Sequence, residues 1–340
     1  MAQTVLVTGA TGFLATYVVK AYLDAGYHVR GSVRSTTKAQ HLKQLYSDYQ
    51  DKFELVEVKD IVTGQGLEEA IKGVDIVAHV ASPYALVVND PYKDFIQPAV
   101  EGTLSVLKQA NKQGIKRVVI TSSFAAVTNL DKGGPWRDYT YTEQDWNPTT
   151  LQQALEQGKP GPFVYSASKT LAEQAANKFG QEHDMEIVAH GPPLQHINSK
   201  SDINTSAKAI YTLISPELHQ GQVPWNRLPL FCSVQDVALA HVKASQINSN
   251  QIKNQRFLLC GGSFTWEDAI LHLLKVKPEL KHRLPNLPLD EKDYKDSGKT
   301  IAKLDTTKAK DILGIQQFQT WQQVLEQTID SLLQIEQQWQ

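Results

Sequence analysis

A tyrosine and a lysine four residues apart are the side chains with the clearest chemical potential in this sequence. Tyr165 and Lys169 lie in a stretch, residues 163–179, whose apolar residues recur at helical spacing, so the two side chains share one face of a predicted helix. A phenol with a pKa of ~10 is a weak acid at neutral pH. A neighbouring ammonium favours the phenolate and lowers that pKa, which produces a general acid for proton transfer.

Ser123 is the third candidate in this chemistry. It follows a predicted strand, residues 117–121, and its hydroxyl can donate a hydrogen bond to the carbonyl oxygen of a substrate. A tyrosine and a lysine at this spacing also occur by chance, as an exposed ring beside a lysine in a salt bridge. The serine at the end of a strand, ahead of the pair in the chain, favours the catalytic interpretation.

A glycine turn near the start of the chain is the candidate cofactor site. Residues 5–15 read as a strand, a tight turn with Gly9 and Gly12, and a helix that follows at once. Gly9 allows a positive φ, Gly12 allows a ligand to approach the backbone, and the small Ala15 lets the helix pack against the strand. The open N–H groups at the helix start attract an anion such as a dinucleotide pyrophosphate. A plain strand-to-helix turn is the alternative, since the spacing G-x-x-G-x-x-A differs from the standard fingerprint.

The end of the second predicted strand, residues 27–33, carries two cations. Arg34 and Lys38 stand where a site for NAD would have an acidic residue that accepts hydrogen bonds from the ribose. Their natural partner is the 2′-phosphate of NADP, which arginine grips with two hydrogen bonds. The alternative is a solvated surface pair, but the position at a strand end favours NADP(H) as the cofactor.

The alternation of predicted strands and helices along the chain predicts the fold that brings these residues together. Further strands are predicted at residues 53–58, 74–80, 185–189 and 256–260, alternating with helices, which indicates a parallel sheet with helices on both faces. Ligands of such sheets lie beyond the carboxyl ends of the strands, and Gly9, Arg34, Asp60, Ala81 and Ser123 all fall there. Asp60 is either an adenine contact or a cap for the next segment. His79, on an apolar strand, reads as an interior histidine with satisfied hydrogen bonds.

Composition excludes several classes of function. The 340 residues carry a net charge of −2, which gives no electrostatic basis for a nucleic-acid or anionic membrane partner. Cys232 and Cys260 are the two cysteines, and neither a C-x-x-C motif nor a histidine cluster predicts a metal site. No apolar run approaches ~18 residues, and the first strand leaves no room for a signal peptide. The expected location is the cytoplasm.

Seven short motifs together resemble one family. The chain is similar to an extended short-chain dehydrogenase/reductase, and within that group it resembles the fungal NADPH-dependent aldehyde and ketone reductases. Plant dihydroflavonol and cinnamoyl-CoA reductases are more distant cousins. The motifs are T-G-A-T-G-F-L-A, V-R-S, D-I, H-V-A-S-P, P-A-V-E-G-T, T-S-S-F-A-A-V and Y-S-A-S-K, at residues 8–15, 33–35, 60–61, 79–83, 98–103, 121–127 and 165–169.

The resemblance implies an α/β fold, a Rossmann-type doubly wound parallel sheet with a smaller, mostly helical substrate-binding lobe. The NADP-binding domain would comprise residues 1–190, with residues 231–262 returning to it. The substrate-binding lobe would comprise residues 191–230 and 263–340. The implied partner is a small-molecule carbonyl substrate, and the implied assembly is a monomer or a homodimer.

The resemblance also assigns residues to roles. The catalytic residues would be Ser123, Tyr165 and Lys169. The residues implied to bind the cofactor are Gly9, Thr11, Gly12, Phe13, Leu14, Arg34, Lys38, Asp60, Ile61, Ala81, Ser82, Tyr165, Lys169, Pro193 and Ser206. The residues implied to line the substrate pocket are Ser123, Tyr165, Tyr84, Leu194 and Trp225. No metal ligand is implied.

Two departures bear on the activity. After the strand at residues 185–189 the family usually has N-P-P or N-P-V, whereas this chain has H-G-P-P-L-Q-H-I at residues 190–197. Sugar epimerases commonly have an asparagine where this chain has Ala99, which favours a reductase over an epimerase. A dihydroflavonol-like or steroid dehydrogenase with the same chemistry is the nearest alternative. A non-catalytic nicotinamide-sensing protein is less consistent with the retained serine, tyrosine and lysine.

Overall fold

Seven parallel strands form one sheet at the centre of the molecule. The computed structural model describes residues 2–82, 89–190 and 205–337, without the side chains of Gln50, Ala189, His190, Thr205, Ser206 and Ser249. The sheet is ordered β3-β2-β1-β4-β5-β7-β9, and its neighbouring strands pair in parallel throughout. Its strands are β1 (Thr4–Val7), β2 (His28–Val33), β3 (Phe53–Glu57), β4 (Ile76–His79), β5 (Arg117–Thr121), β7 (Glu186–His190) and β9 (Gln255–Arg256).

Helices cover both faces of this sheet. The α-helices are α1 (Phe13–Asp24), α2 (Gln40–Leu45), α3 (Leu67–Ile71), α4 (Gln97–Lys112), α5 (Leu151–Ala154), α6 (Gly161–His183), α7 (Thr205–Leu213), α8 (Pro216–His219), α9 (Val234–Gln246), α10 (Ser249–Ile252), α11 (Trp266–Val276), α12 (Thr307–Leu313) and α13 (Trp321–Glu336). Helix α1 packs against α9, and α4 packs against α6. A π-helical turn, Tyr92–Ile96, leads directly into α4.

Alternation along the strands separates the two layers. In β1, Val5 and Val7 belong to the core beneath α1 and α9, whereas Leu6 belongs to the core beneath α4 and α6. Successive side chains of a strand point to opposite faces, so a strand that is apolar at every position must be covered on both sides. The predicted doubly wound sheet is confirmed.

The other strands are short and lie outside the main sheet. Strand β6 (Thr140–Tyr141) pairs in parallel with β11 (Lys303–Leu304), and β8 (Leu230–Phe231) pairs with β10 (Gly262–Ser263) in the antiparallel sense. Each two-stranded pair joins segments that are far apart in the sequence. The helix α13 packs on α7 and α11, in the part of the chain assigned to the substrate lobe.

The predicted strand at residues 256–260 is wrong beyond its first residue. Strand β9 ends at Arg256, and the backbone N–H of Leu258 donates to Oε1 of Glu143 rather than to a neighbouring strand. The apolar residues that follow Arg256 are buried against other parts of the fold, which the sequence alone does not distinguish from burial in a sheet. The predicted capping box from Thr265 to Asp268 is present at the start of α11.

Two further observations concern membrane-spanning helices and the cysteines. Within the described ranges, no helix combines the length and apolar character needed to span a bilayer. Cys232 and Cys260 are both free thiols, the first buried and the second half-buried.

Candidate active site

A cavity of about 2070 Å³ runs along the carboxyl edge of the sheet. It passes the point between β1 and β4 where the strand order reverses, which is where parallel sheets of this kind bind nucleotides. The structure brings most of the predicted site residues to this cavity. Those that line it are Gly9, Thr11, Gly12, Phe13, Leu14, Arg34, Lys38, Asp60, Ile61, Ala81, Ser82, Ser123, Tyr165, Lys169 and Trp225.

Several predicted residues lie outside the described part of the chain. Tyr84 falls in residues 83–88, and Pro193 and Leu194 fall in residues 191–204. The stretch that departs from the family pattern lies there too, apart from the backbone of His190 at the end of β7. Ser206 belongs to α7, but its side chain is not described.

The glycine turn has the geometry that a dinucleotide phosphate needs. Gly9 has a φ of 67°, and a Cβ on it would come within 3.0 Å of the Cβ of Ala81. Gly12 is the N-cap of α1 and supplies no side-chain hydrogen bond to the helix start. The first N–H groups of an α-helix have no partner within the helix, so the turn offers donors and the positive end of the helix dipole to an anion in the cavity. The residues present therefore fit the pyrophosphate of NADP(H).

Cations line the cavity near the ends of β2 and β3. Arg34 and Lys38 line it beyond β2, as does Lys59, which sequence reasoning did not single out. Lys59 lies 3.7 Å from a carboxylate oxygen of Glu57. Asp60 accepts the backbone N–H of Val62 at 2.8 Å, so it caps the segment after β3 while it lines the cavity.

Tyr165 and Lys169 lie next to each other on α6. The Nζ of Lys169 is 5.9 Å from the centre of the Tyr165 ring and donates a hydrogen bond of 3.2 Å to the backbone oxygen of Thr121. Lys169 is buried, and desolvation lowers its pKa to about 8, against the attraction of the Glu173 carboxylate. The predicted ammonium beside a phenol is therefore present, and both groups face the cavity.

Ser123 is held at the end of β5 by its own loop. It caps a short 3₁₀-helix, Phe124–Ala126, and its Oγ accepts the backbone N–H of Ala125 at 3.1 Å. A hydroxyl has one donor and two acceptor positions, so this contact still permits Ser123 to donate to a substrate oxygen. The cap fixes the hydroxyl oxygen and leaves its proton for the cavity.

His79 is the interior histidine that the sequence predicted. Its Nδ1 lies 3.0 Å from Oγ1 of Thr8, and its Nε2 lies 3.1 Å from Oγ1 of Thr103. Burial and, to a smaller extent, the charge of Lys169 lower the pKa of His79 to about 3, so the ring is neutral. Thr8 also accepts the backbone N–H of Ala81 at 3.0 Å. This network holds the end of β4 beside the glycine turn.

A buried ion pair behind Lys169 was missed by sequence reasoning. Glu173 accepts hydrogen bonds from Ser122 and from the guanidinium of Arg256, and both ionic side chains are buried. Glu173 and Arg256 line the same cavity as Lys169. The sequence spacing could have predicted its position, because Glu173 follows Tyr165 and Lys169 at the same four-residue interval and so shares their helix face.

Apolar residues from distant segments of the chain also line the cavity, and we call them its apolar wall. Trp136 donates through its indole N–H to the backbone oxygen of Asn226 at 3.2 Å, which ties two of these segments together. Trp225 lines the wall with 66% of its surface exposed. Other apolar residues on this wall are Leu130, Phe163, Leu228 and Phe264.

One edge of a parallel sheet here carries a glycine turn with open backbone N–H groups, three cations and a Tyr–Lys pair. This combination defines a class, the dinucleotide-dependent enzymes. The comparison with known families narrows that class. The chain belongs to the NAD dependent epimerase/dehydratase family, whose pattern matches residues 5–260. The predicted resemblance to the extended short-chain dehydrogenases/reductases is confirmed.

Individual relatives are fungal reductases and oxidoreductases. An oxidoreductase of Schizosaccharomyces pombe is 38% identical, over 81% of this chain and 83% of its own. The ketoreductase azaE of Aspergillus niger is 32% identical, over 93% of both chains. The NADPH-dependent methylglyoxal reductase GRE2 of Saccharomyces cerevisiae is 30% identical, over 98% of this chain and 99% of its own. The crystal structure of yeast Gre2 with NADPH superimposes with a TM-score of 0.84 at 29% identity, over 98% of this chain and 99% of that one.

Proposed function

We propose that this protein reduces an aldehyde or a ketone to the alcohol with NADPH. The observation that carries the proposal is the placement of Tyr165 and Lys169 side by side in the cavity that also holds the glycine turn and Arg34. The relatives named as an NADPH-dependent methylglyoxal reductase and a ketoreductase support the same reaction class.

Ser123, Tyr165 and Lys169 have separate roles in the proposed carbonyl reduction. NADPH, when bound, supplies the hydride that reaches the carbonyl carbon. Ser123 and Tyr165 donate hydrogen bonds to the carbonyl oxygen, and Tyr165 passes its proton to that oxygen as negative charge develops there. Lys169 holds the ribose hydroxyls and lowers the pKa of the Tyr165 phenol by its charge. The reverse oxidation uses the same groups at higher pH.

Cofactor selection falls to the groups at the other end of the cavity. Arg34 and Lys38 bind the 2′-phosphate, while Asp60 and Ile61 contact the adenine. Gly9, Gly12 and the first turn of α1 hold the pyrophosphate, and Ala81 and Ser82 contact the sugar-phosphate region. Support for these roles comes from the common cavity and from the strand ends on which the residues stand.

The division of labour along the chain is part of the same proposal. Residues 1–190 and 231–262 form the NADP-binding domain, which is supported by β9, a strand of the returning segment that joins the main sheet. Residues 191–230 and 263–340 form the substrate lobe. We place the protein in the cytoplasm, as a monomer or a homodimer.

A bulkier substrate is the second candidate. A dihydroflavonol or a steroid ketone would use the same catalytic groups, and the extended apolar wall around Trp136 and Trp225 favours it. A purely cofactor-sensing protein would have no use for Ser123, Tyr165 and Lys169 together at the cavity.

The decisive experiment follows NADPH oxidation with a panel of small aldehydes, aryl ketones, a dihydroflavonol and a steroid ketone. Tyr165→Phe removes the transferable proton and should lower turnover by at least ~10²-fold, the smaller end of what a general acid contributes. NADPH binding, measured by fluorescence, should be nearly unchanged, because the ring and Lys169 stay. Comparable turnover in Tyr165→Phe would contradict the role of the phenol, and no turnover of any carbonyl by the wild type would contradict the function.

A further inference from the structure

Glu173 is a buried carboxylate that the reaction as described does not use. It lies on α6 one turn after Lys169, with 4% of its surface exposed. Burial of a carboxylate costs free energy of desolvation unless the charge is paired, so Glu173 needs partners at this edge of the sheet. Its partners are Ser122, immediately before the catalytic serine, and Arg256 at the end of β9.

Arg256 is itself fixed from the other side. Its Nη1 donates to the backbone oxygens of Glu143 and Asp145, at 2.8 Å each, and its guanidinium lies 3.6 Å from the centre of the Trp146 ring. Five donors in a rigid plane allow arginine to satisfy these carbonyls and a carboxylate at once. The position of the Glu173 carboxylate is thus set by contacts outside its own helix.

Glu173 and Lys169 also line one small cavity together. A cavity of about 20 Å³, which shares lining residues with the main one, is lined by both residues together with Ser122, His79 and Thr103. Three elements bring groups close to Lys169. Helix α6 contributes Glu173 and Tyr165, β4 contributes His79, and β5 contributes the backbone oxygen of Thr121. His79 is neutral, so among these groups Glu173 is the one whose negative charge acts on the ammonium.

We propose that Glu173 is a positioning residue for carbonyl reduction: held by Arg256 and Ser122, its carboxylate keeps Lys169 protonated and fixed beside Tyr165. Burial alone favours the neutral amine, and a neutral Lys169 could neither lower the pKa of the phenol nor bind the ribose as a cation. The pKa of Lys169, about 8, is the balance between desolvation and this attraction. The inference rests on the proposed function, since it concerns the same tyrosine and lysine.

Removal of the charge should therefore move a pH profile rather than merely lower activity. In the wild type, kcat/KM for carbonyl reduction should fall above pH 8 as Lys169 loses its proton. In Glu173→Gln, which keeps the shape of the side chain and an acceptor for Ser122, this fall should begin about one pH unit lower, the size expected for loss of one nearby opposite charge. The affinity for NADPH, measured by fluorescence titration across the same pH range, should shift in parallel.

Three further variants separate this role from a structural one. Glu182→Gln removes a carboxylate from the exposed face of the same helix and should leave the profile in place. Glu173→Gln leaves Arg256 buried without its counter-charge and can lose stability, so the double variant Glu173→Gln/Arg256→Gln removes both charges. Its shift should have the same direction but be smaller, because the repulsion of Lys169 by Arg256 is lost together with the attraction by Glu173. Glu173→Asp, which keeps the charge, should restore most of the wild-type profile.

The outcomes are distinct. The proposal is supported if kcat/KM begins to fall at a lower pH than in the wild type in either folded variant that lacks the carboxylate. A fall at the wild-type pH in such a variant overturns it, even if the melting temperature and the overall rate have dropped, because that is the result of a purely structural ion pair. If the wild type reduces no carbonyl at all, the proposed function fails instead, and the NADPH titration still reports whether Glu173 acts on Lys169.

Discussion

The two sides of the cavity are built in different ways. On the side proposed to bind the cofactor, each group stands at the carboxyl end of a strand or in the few residues after it, and the glycine turn brings its backbone to the cavity. On the side proposed to bind the substrate, the wall is made of segments that meet from distant parts of the chain, such as Trp136 on Asn226. The cofactor side is therefore fixed by the sheet, whereas the substrate side depends on loop-to-loop contacts that can vary without altering the sheet.

The difference predicts opposite sensitivities to substitution. On the cofactor side a single methyl group should matter, since the backbone itself approaches the ligand. On the substrate side the loss of a whole ring should change selectivity but hardly affect folding. The predictions that follow test this contrast from the largest expected effect to the smallest.

Gly9→Ala tests the cofactor side with the smallest possible change. The residue has a φ of 67°, where a side chain costs about 1–2 kcal/mol of stability. The new Cβ would also meet that of Ala81 at 3.0 Å and distort the turn that faces the phosphates. We expect the affinity for NADPH to fall by up to ~100-fold, the equivalent of losing one or two hydrogen bonds to a charged group.

Gly26→Ala is the matched control. Gly26 has a φ of 89°, and a Cβ there would have no heavy atom within 4 Å. It should lose similar stability in chemical denaturation and bind NADPH like the wild type. Equal losses of affinity in the two variants would show that the turn at Gly9 has no special part in phosphate binding.

Arg34→Ala tests the adenosine end and should have a more selective effect. Without the guanidinium the 2′-phosphate loses a charge-assisted contact, so NADPH should bind about tenfold more weakly. NADH lacks that phosphate, and its affinity should change little. Isothermal titration with both cofactors measures the ratio, and Lys43→Ala, which removes an exposed cation from the nearby α2, is the control. An equal loss for NADPH and NADH would remove the argument for phosphate recognition.

The same contrast explains what the sequence could predict. Gly9, Arg34, Asp60, Ala81 and Ser123 were placed correctly at the cavity because strand, turn and helix are local patterns, and a parallel sheet brings all strand ends to one edge. The side chains of Tyr165 and Lys169 needed only helical spacing to be placed together. For these positions, short-range physics is enough to predict the geometry.

Other parts depended on contacts between distant residues. The predicted strand at residues 256–260 stops at Arg256 because the residues that follow make contacts outside the sheet. Glu173 was not singled out in the sequence, because its burial is accompanied by an ion pair with an arginine 83 positions away. Hydrophobic periodicity indicates which face of a helix is buried, but it does not reveal which distant side chain completes a buried polar pair.

Trp225→Ala tests the substrate side and should have the smallest effect on the fold. The indole is 66% exposed and lines the apolar wall, so its removal should change the free energy of unfolding by no more than about 0.5 kcal/mol. For aryl ketones KM should rise about two- to tenfold, the range expected for one lost aromatic contact, while KM for a small aldehyde should stay the same. Leu289→Ala, at an exposed residue that does not line the cavity, provides the comparison. A large loss of stability in Trp225→Ala would show that the substrate wall is as rigidly built as the cofactor side, and the contrast between the two sides would fail.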